Sequence, residues 1–169
     1  MARAKLDEFD LKILEVLQSE GRLTNVELAD RIGLSPTPCL RRVRRLENEG
    51  IIEGYQAKIN RGKVGLGLTV FVEAKLERQQ QAEAERFRDV IRNLPEVVSC
   101  HVISGRSDFL FEVVLADLDQ FSEFIVKELL NVPGIKDLHS SFALDRVKQD
   151  AKLPLHLVKG SPKGDDHAD

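Results

Sequence analysis

Arg41, Arg42, Arg44 and Arg45 put four guanidinium groups within five consecutive positions, with Ser35, Thr37 and Pro38 ahead of them and Asn48 behind. Guanidinium groups bind phosphates and the acceptor edge of guanine, and short polar side chains read base edges from the major groove. At about 100° per residue, Leu40, Val43 and Leu46 fall in one arc and are expected to face a core. Thr37, Pro38, Arg41, Arg45 and Asn48 then point the other way, with Arg42 and Arg44 on the two flanks. This reading assigns Arg41 and Arg45 to bases and Arg42 and Arg44 to phosphates. Ser35 can cap the free N–H groups of such a helix, and Pro36 stands where a missing N–H costs nothing. A run of arginines is also what a solvated basic face looks like, so the elements that position it carry the argument.

Residues 7–20 place Phe9, Ile13, Leu14, Val16 and Leu17 close to helical spacing, with Gly21 as the expected stop. Thr24-Asn25-Val26-Glu27 is a capping-box pattern, and it opens a short helix offering Val26, Leu28, Ala29 and Ile32 to the core and ending at Gly33. Only Gly33 and Leu34 separate that helix from Ser35, so the second and third helices must meet at a sharp angle. That is a helix-turn-helix, winged-helix-like domain over residues 1–52, in which the arginines lie on the helix that enters the groove. An extended linker over 53–67 follows Gly50.

The formal net charge of −3 argues against a diffuse attraction to DNA, and residues 1–60 carry ten basic and ten acidic side chains. Affinity must then come from placed arginines and from more than one binding head. The 169 residues are 42% hydrophobic, ordinary for globular cores, with no apolar run of membrane-spanning length and no signal-peptide pattern, so a cytoplasmic protein with no membrane association is expected. Cys39 and Cys100 fall in different predicted domains without paired spacing, which argues against a disulfide and a cysteine-based zinc site.

From Leu68 the rhythm changes. Leu68, Val70, Val72, Ala74 and Leu76 alternate with Thr69, Phe71, Glu73 and Lys75, a strand. A helix over 82–93, strands over 97–103 and 109–115, a helix over 118–130 and a strand over 135–147 complete a βαββαβ order across residues 68–150. The fold class is therefore α+β, with a ferredoxin-like antiparallel sheet carrying both helices on one face. The third strand is apolar on both sides, including Leu110 and Val114, and Phe71 lies on the helix-free face. Such a surface calls for a second copy of the chain. Adjacent Cys100 and His101 point to opposite faces of a strand and cannot form a thiolate–imidazole pair, and no nucleotide loop or catalytic triad appears, so no enzyme and no cofactor are expected. Residues 151–169 form a C-terminal tail, with 159–169 expected to be disordered; Asp165-Asp166-His167 has no second cluster with which to hold a metal.

Leu-Ser-Pro-Thr-Pro-Cys over 34–39, Arg-Val-Arg-Arg-Leu-Glu over 42–47, Gly50-Ile51-Ile52 and a Gly-x-x-Asp-Phe-Leu turn at 105–110, taken together, closely resemble the Lrp/AsnC family of prokaryotic transcription regulators over about residues 6–155. The resemblance implies operator binding by the N-terminal domain, dimers and often octamers built by the C-terminal domain, and a free amino acid as effector. Ser140-Ser141-Phe142 and Leu153-Pro154-Leu155 look like a branch that regulates amino-acid metabolism. Within the turn, Ser104 and the amides around Gly105 and Arg106 could hold an α-carboxylate, and Asp108 could accept from an α-ammonium group. An architectural DNA-binding protein without effector control is the alternative.

Overall fold

Two capping boxes start the first two helices. Helix α1 (Glu8–Leu17) begins at Asp7, whose carboxylate accepts from the Asp10 N–H at 2.9 Å while Asp10 accepts from the Asp7 N–H at 3.0 Å. Helix α2 (Asn25–Ile32) begins at Thr24 with the expected Thr24–Glu27 reciprocity and ends at Gly33, whose φ of 72° only glycine adopts without strain. Helix α3 (Pro36–Asn48) starts at Ser35, but the Ser35 side chain makes no capping bond. Of the two helical positions where a cap finds its N–H, the third is Pro38 and has none to give. The Asn25 side-chain amide instead ties the start of α2 to α3 by donating to the Pro36 carbonyl at 2.8 Å.

The computed structural model describes residues 5–77, 81–148 and 151–158; the expectations for residues 159–169, including Asp165-Asp166-His167, lie outside them. The chain divides into two units, residues 1–58 with 148–169, and residues 59–147. The first is built around Ile13, Leu28, Ala29, Ile32, Cys39 and Leu46. Three assignments differ from the sequence reading. Helix α1 stops at Leu17, short of Gly21. Val26 is exposed, and on α3 Cys39 is buried while Leu40 is out. A thiol packs as a small hydrophobe, so the core arc of α3 runs through Cys39, Val43 and Leu46. The segment after Gly50 forms neither helix nor strand, with no paired wing strand in this unit among the described residues. Residues 151–158 belong to this unit, where the Leu153 N–H donates to the Gln18 side chain at 2.6 Å.

The second unit has the expected order: β1 (Leu68–Leu76), α4 (Gln81–Arg92), β2 (Val97–Val102), β3 (Phe109–Leu115), α5 (Leu118–Lys127) and β4 (Ile135–Phe142). All pairings are antiparallel, in the spatial order β2-β3-β1-β4. Val70, Val72, Ala74 and Leu76 of β1 and Phe109, Phe111 and Val113 of β3 pack against Phe87 and Ile91 of α4 and Phe121 and Phe124 of α5. Strand β4 ends at Phe142 rather than near 147, because its partner β1 starts at Leu68 and the last bond between them, Ala143 N–H to the Thr69 carbonyl, leaves nothing further to pair with.

Burial raises the Asp7 carboxyl's pKa, but the Asp10 N–H and the Arg42 guanidinium outweigh it and hold the group below its ordinary 3.8. A lowered carboxylate pKa contributes stability that is complete above the unfolded value and is lost as pH falls through the folded one. Asp7→Asn keeps the cap and removes the charge. Acid titration of the N-terminal unit, followed by circular dichroism, is expected to show a shallower loss of stability below about pH 4 in that variant than in the parent.

Candidate DNA interface and effector turn

The burial of Cys39 and Leu46 turns α3 so that Thr37, Arg41, Arg44 and Asn48 share its exposed side, and with Leu40, Arg45 and Glu49 they line one open concavity of about 520 Å³. The Arg41 and Arg44 side chains make no hydrogen bond or ion pair with any described residue, which leaves both guanidinium groups available to an outside anion. Ser35 is exposed at the mouth of the same helix and Pro38 is half-buried.

The other two arginines are committed. Arg42 bridges Asp7 at 2.6 Å and Asp10 at 2.9 Å and lies over the Phe9 ring at 5.5 Å; Arg45 holds Asp10 at 2.5 Å and approaches Glu49 at 3.9 Å. The expected split into base-facing Arg45 and phosphate-facing Arg42 therefore does not match the geometry, in which both turn toward α1. Asp10 itself is fully buried. Sequence reasoning missed Asp7 and Asp10 because acids in a first helical turn are ordinarily read as dipole complements. Their three-residue spacing, which matches the helical repeat of the arginines, was the available signal. At the far end of α3 the Tyr55 hydroxyl donates to Glu47 at 3.0 Å, and burial together with Glu47 pushes its pKa up to about 12.

In the second unit the β2–β3 connection closes with the Ile103 N–H bonded to the Asp108 carbonyl at 3.0 Å. Ser104, Gly105 and Arg106 are exposed at its tip, and Gly105 has φ 136°. Two residues staple the turn to β1. Ser107, 4% exposed, donates to Glu73 at 2.7 Å, and the Asp108 carboxylate accepts the Leu76 N–H at 2.9 Å where the β1–β4 register slips. Asp108 thus shapes the turn. Neither Ser107 nor Glu73 was singled out, since a serine in a polar loop and a glutamate on a strand's wet face carry no signal until they meet. Cys100 and His101 pair with Phe111 and Leu110 on opposite faces, and burial raises the Cys100 thiol's pKa in spite of nearby Arg88. Among the described residues no cluster of three or more His, Cys, Asp or Glu is placed to hold a metal, and no helix is long and apolar enough to cross a membrane.

Residues 6–53 match the family described as winged helix-turn-helix DNA-binding, and residues 69–153 match the Lrp/AsnC ligand binding domain. The chain belongs to the Lrp/AsnC family. Leucine-responsive regulatory proteins of Klebsiella pneumoniae and Escherichia coli are 41% identical to it over 150 residues, covering 89% of this chain and 92% of theirs. A Neisseria meningitidis transcriptional regulator solved as an L-Met complex superposes with a TM-score of 0.86 at 42% identity, covering 91% of this chain and 99% of that one. An AsnC family regulator from Agrobacterium tumefaciens gives 0.85 at 34% identity, covering 89% of this chain and 98% of that one. This Lrp/AsnC protein is accordingly a transcription regulator with a DNA-binding helix-turn-helix and a ligand-binding domain, and not an enzyme.

Removing the Ser107 hydroxyl leaves a half-buried Glu73 carboxylate short of a donor. Ser107→Ala is expected to lower the stability of the C-terminal unit by about 1–3 kcal/mol in chemical denaturation, with the melting of the N-terminal unit unchanged.

Proposed function

We propose that this regulator binds operator DNA through Thr37, Arg41, Arg44 and Asn48 of α3, acts as a homodimer or higher oligomer, octamers included, and is modulated by a free amino acid, in the service of amino-acid metabolism. The observation that carries the effector is the L-Met complex of a relative 42% identical over nearly the whole chain. The exposed turn tip supports the same reading: Ser104 and the amides of Gly105 and Arg106 suit a carboxylate, and Asp108 adds negative charge on the side of an α-ammonium group. A melting-temperature screen of the twenty amino acids, followed by operator binding with the best hit, tests it. One or a few hydrophobic amino acids are expected to raise the melting temperature of the C-terminal unit. Indifference to all twenty would leave the architectural, effector-free reading. Asp108→Asn retains an acceptor for the Leu76 N–H but not the charge, so it should keep the ligand-free melting temperature and lose the response; a variant that still responds with an unchanged midpoint would limit Asp108 to the turn.

In this reading the dimer would form on the sheet face opposite the helices. Phe71 is 41% exposed there, beside Glu112, which is held by Arg61 at 2.6 Å and Arg146 at 3.1 Å. Val114, on the same face, is already 6% exposed in the single chain, so a charge at that position would report on folding. Phe71 is the better probe. Phe71→Asp is expected to shift sedimentation to a smaller species and to weaken operator binding by tenfold or more through lost bivalency, although no DNA contact has been touched. Sedimentation identical to the parent would move the interface elsewhere.

A further inference from the structure

Asp10 is a carboxylate with no access to water whose two oxygens are both taken: Oδ1 by Arg42 at 2.9 Å, and Oδ2 by Arg45 at 2.5 Å and by the Asp7 N–H at 3.0 Å. Asp7 adds a second acid to Arg42 at 2.6 Å. The capping box that starts α1 is therefore also the counter-charge of α3, and it withdraws two of four arginines from the helix that carries Arg41 and Arg44. An uncommitted arginine beside a groove binds any phosphate, whatever the sequence, and so raises non-specific affinity. An arginine held by a buried acid cannot do this without abandoning a charge that has no water to turn to. We propose that Asp10, aided by Asp7, is a positioning residue for DNA specificity: it keeps Arg42 and Arg45 off the phosphates and fixes the roll of α3 that presents Thr37, Arg41, Arg44 and Asn48. The inference rests on α3 being the DNA-contacting helix. Arg45 is the more easily released of the two, since its side chain is 41% exposed against 24% for Arg42 and Glu49 offers it only a 3.9 Å contact.

The test measures binding of the full-length protein to two duplexes, one selected by the parent protein from a random pool and one scrambled, across a series of potassium chloride concentrations. Asp10→Asn keeps the side chain's shape and one acceptor. It is expected to tighten binding to the scrambled duplex, to lower the preference for the selected one roughly tenfold, and to steepen the salt dependence by about 0.9 for each phosphate newly neutralised. Asp10→Asn combined with Arg42→Gln and Arg45→Gln should return the salt slope to the parent value. Asp7→Asn, at an exposed site, loosens Arg42 alone and should steepen the slope by less than one unit; it decides the matter if Asp10→Asn does not fold. A parallel loss of affinity for both duplexes with no steepening in any variant would overturn the proposal and reduce Asp10 to a helix cap. Arg41→Ala is run alongside: undiminished binding of the selected duplex by that variant would instead overturn the assignment of α3.

Discussion

A charge without water must be answered by other groups of the protein, and in the N-terminal unit that constraint falls on Asp10. Removing one partner of a buried ion pair typically costs about 3–5 kcal/mol, whereas a helix cap is worth about 1 kcal/mol. The pairing of Asp10 with Arg42 and Arg45 is thus the stronger of its two duties. It couples α1 to α3 across 32 and 35 positions of sequence. Through that coupling the roll of α3 is set from two sides, by Cys39 and Leu46 sinking into the core and by two arginines drawn to α1. What remains outward is the side that bears Arg41 and Arg44.

The C-terminal unit answers to register. One face of its sheet is closed by α4 and α5, so every second residue of β1 and β3 is committed to the core and a slip of one position would expose them all. The turn at 104–108 inherits its position from that register. Ser107 and Asp108 reach back to Glu73 and Leu76 of β1, and the tip that they hold out consists of residues with little to bury. A rigid base under an exposed, polar tip is how a binding loop is kept in shape without a ligand.

Most of the architecture was legible in the residue order. Alternation announced β1, Thr24-x-x-Glu27 announced α2, and Gly33 announced its end, because each of these signals is local: a side-chain period, a reciprocal cap, or a backbone angle only glycine tolerates. The family resemblance rested on equally local strings and was matched by both domain comparisons. Such signals fell short where the outcome depended on more than a period or a cap residue: the Ser35 side chain makes no capping bond, Cys39 rather than Leu40 turns into the core, and the end of β4 depends on where β1 begins.

By itself the sequence determined the kinds of element, their order, and the presence of four arginines on one helix preceded by a tight turn. The tertiary structure alone decided which of those arginines face outward, which residues hold the 104–108 turn, and that residues 151–158 return to the N-terminal unit. The reason is that helical and strand periods repeat within a few residues and can be counted along the chain. The neutralisation of a buried carboxylate or the satisfaction of a freed N–H is settled by whichever group the fold brings within about 3 Å.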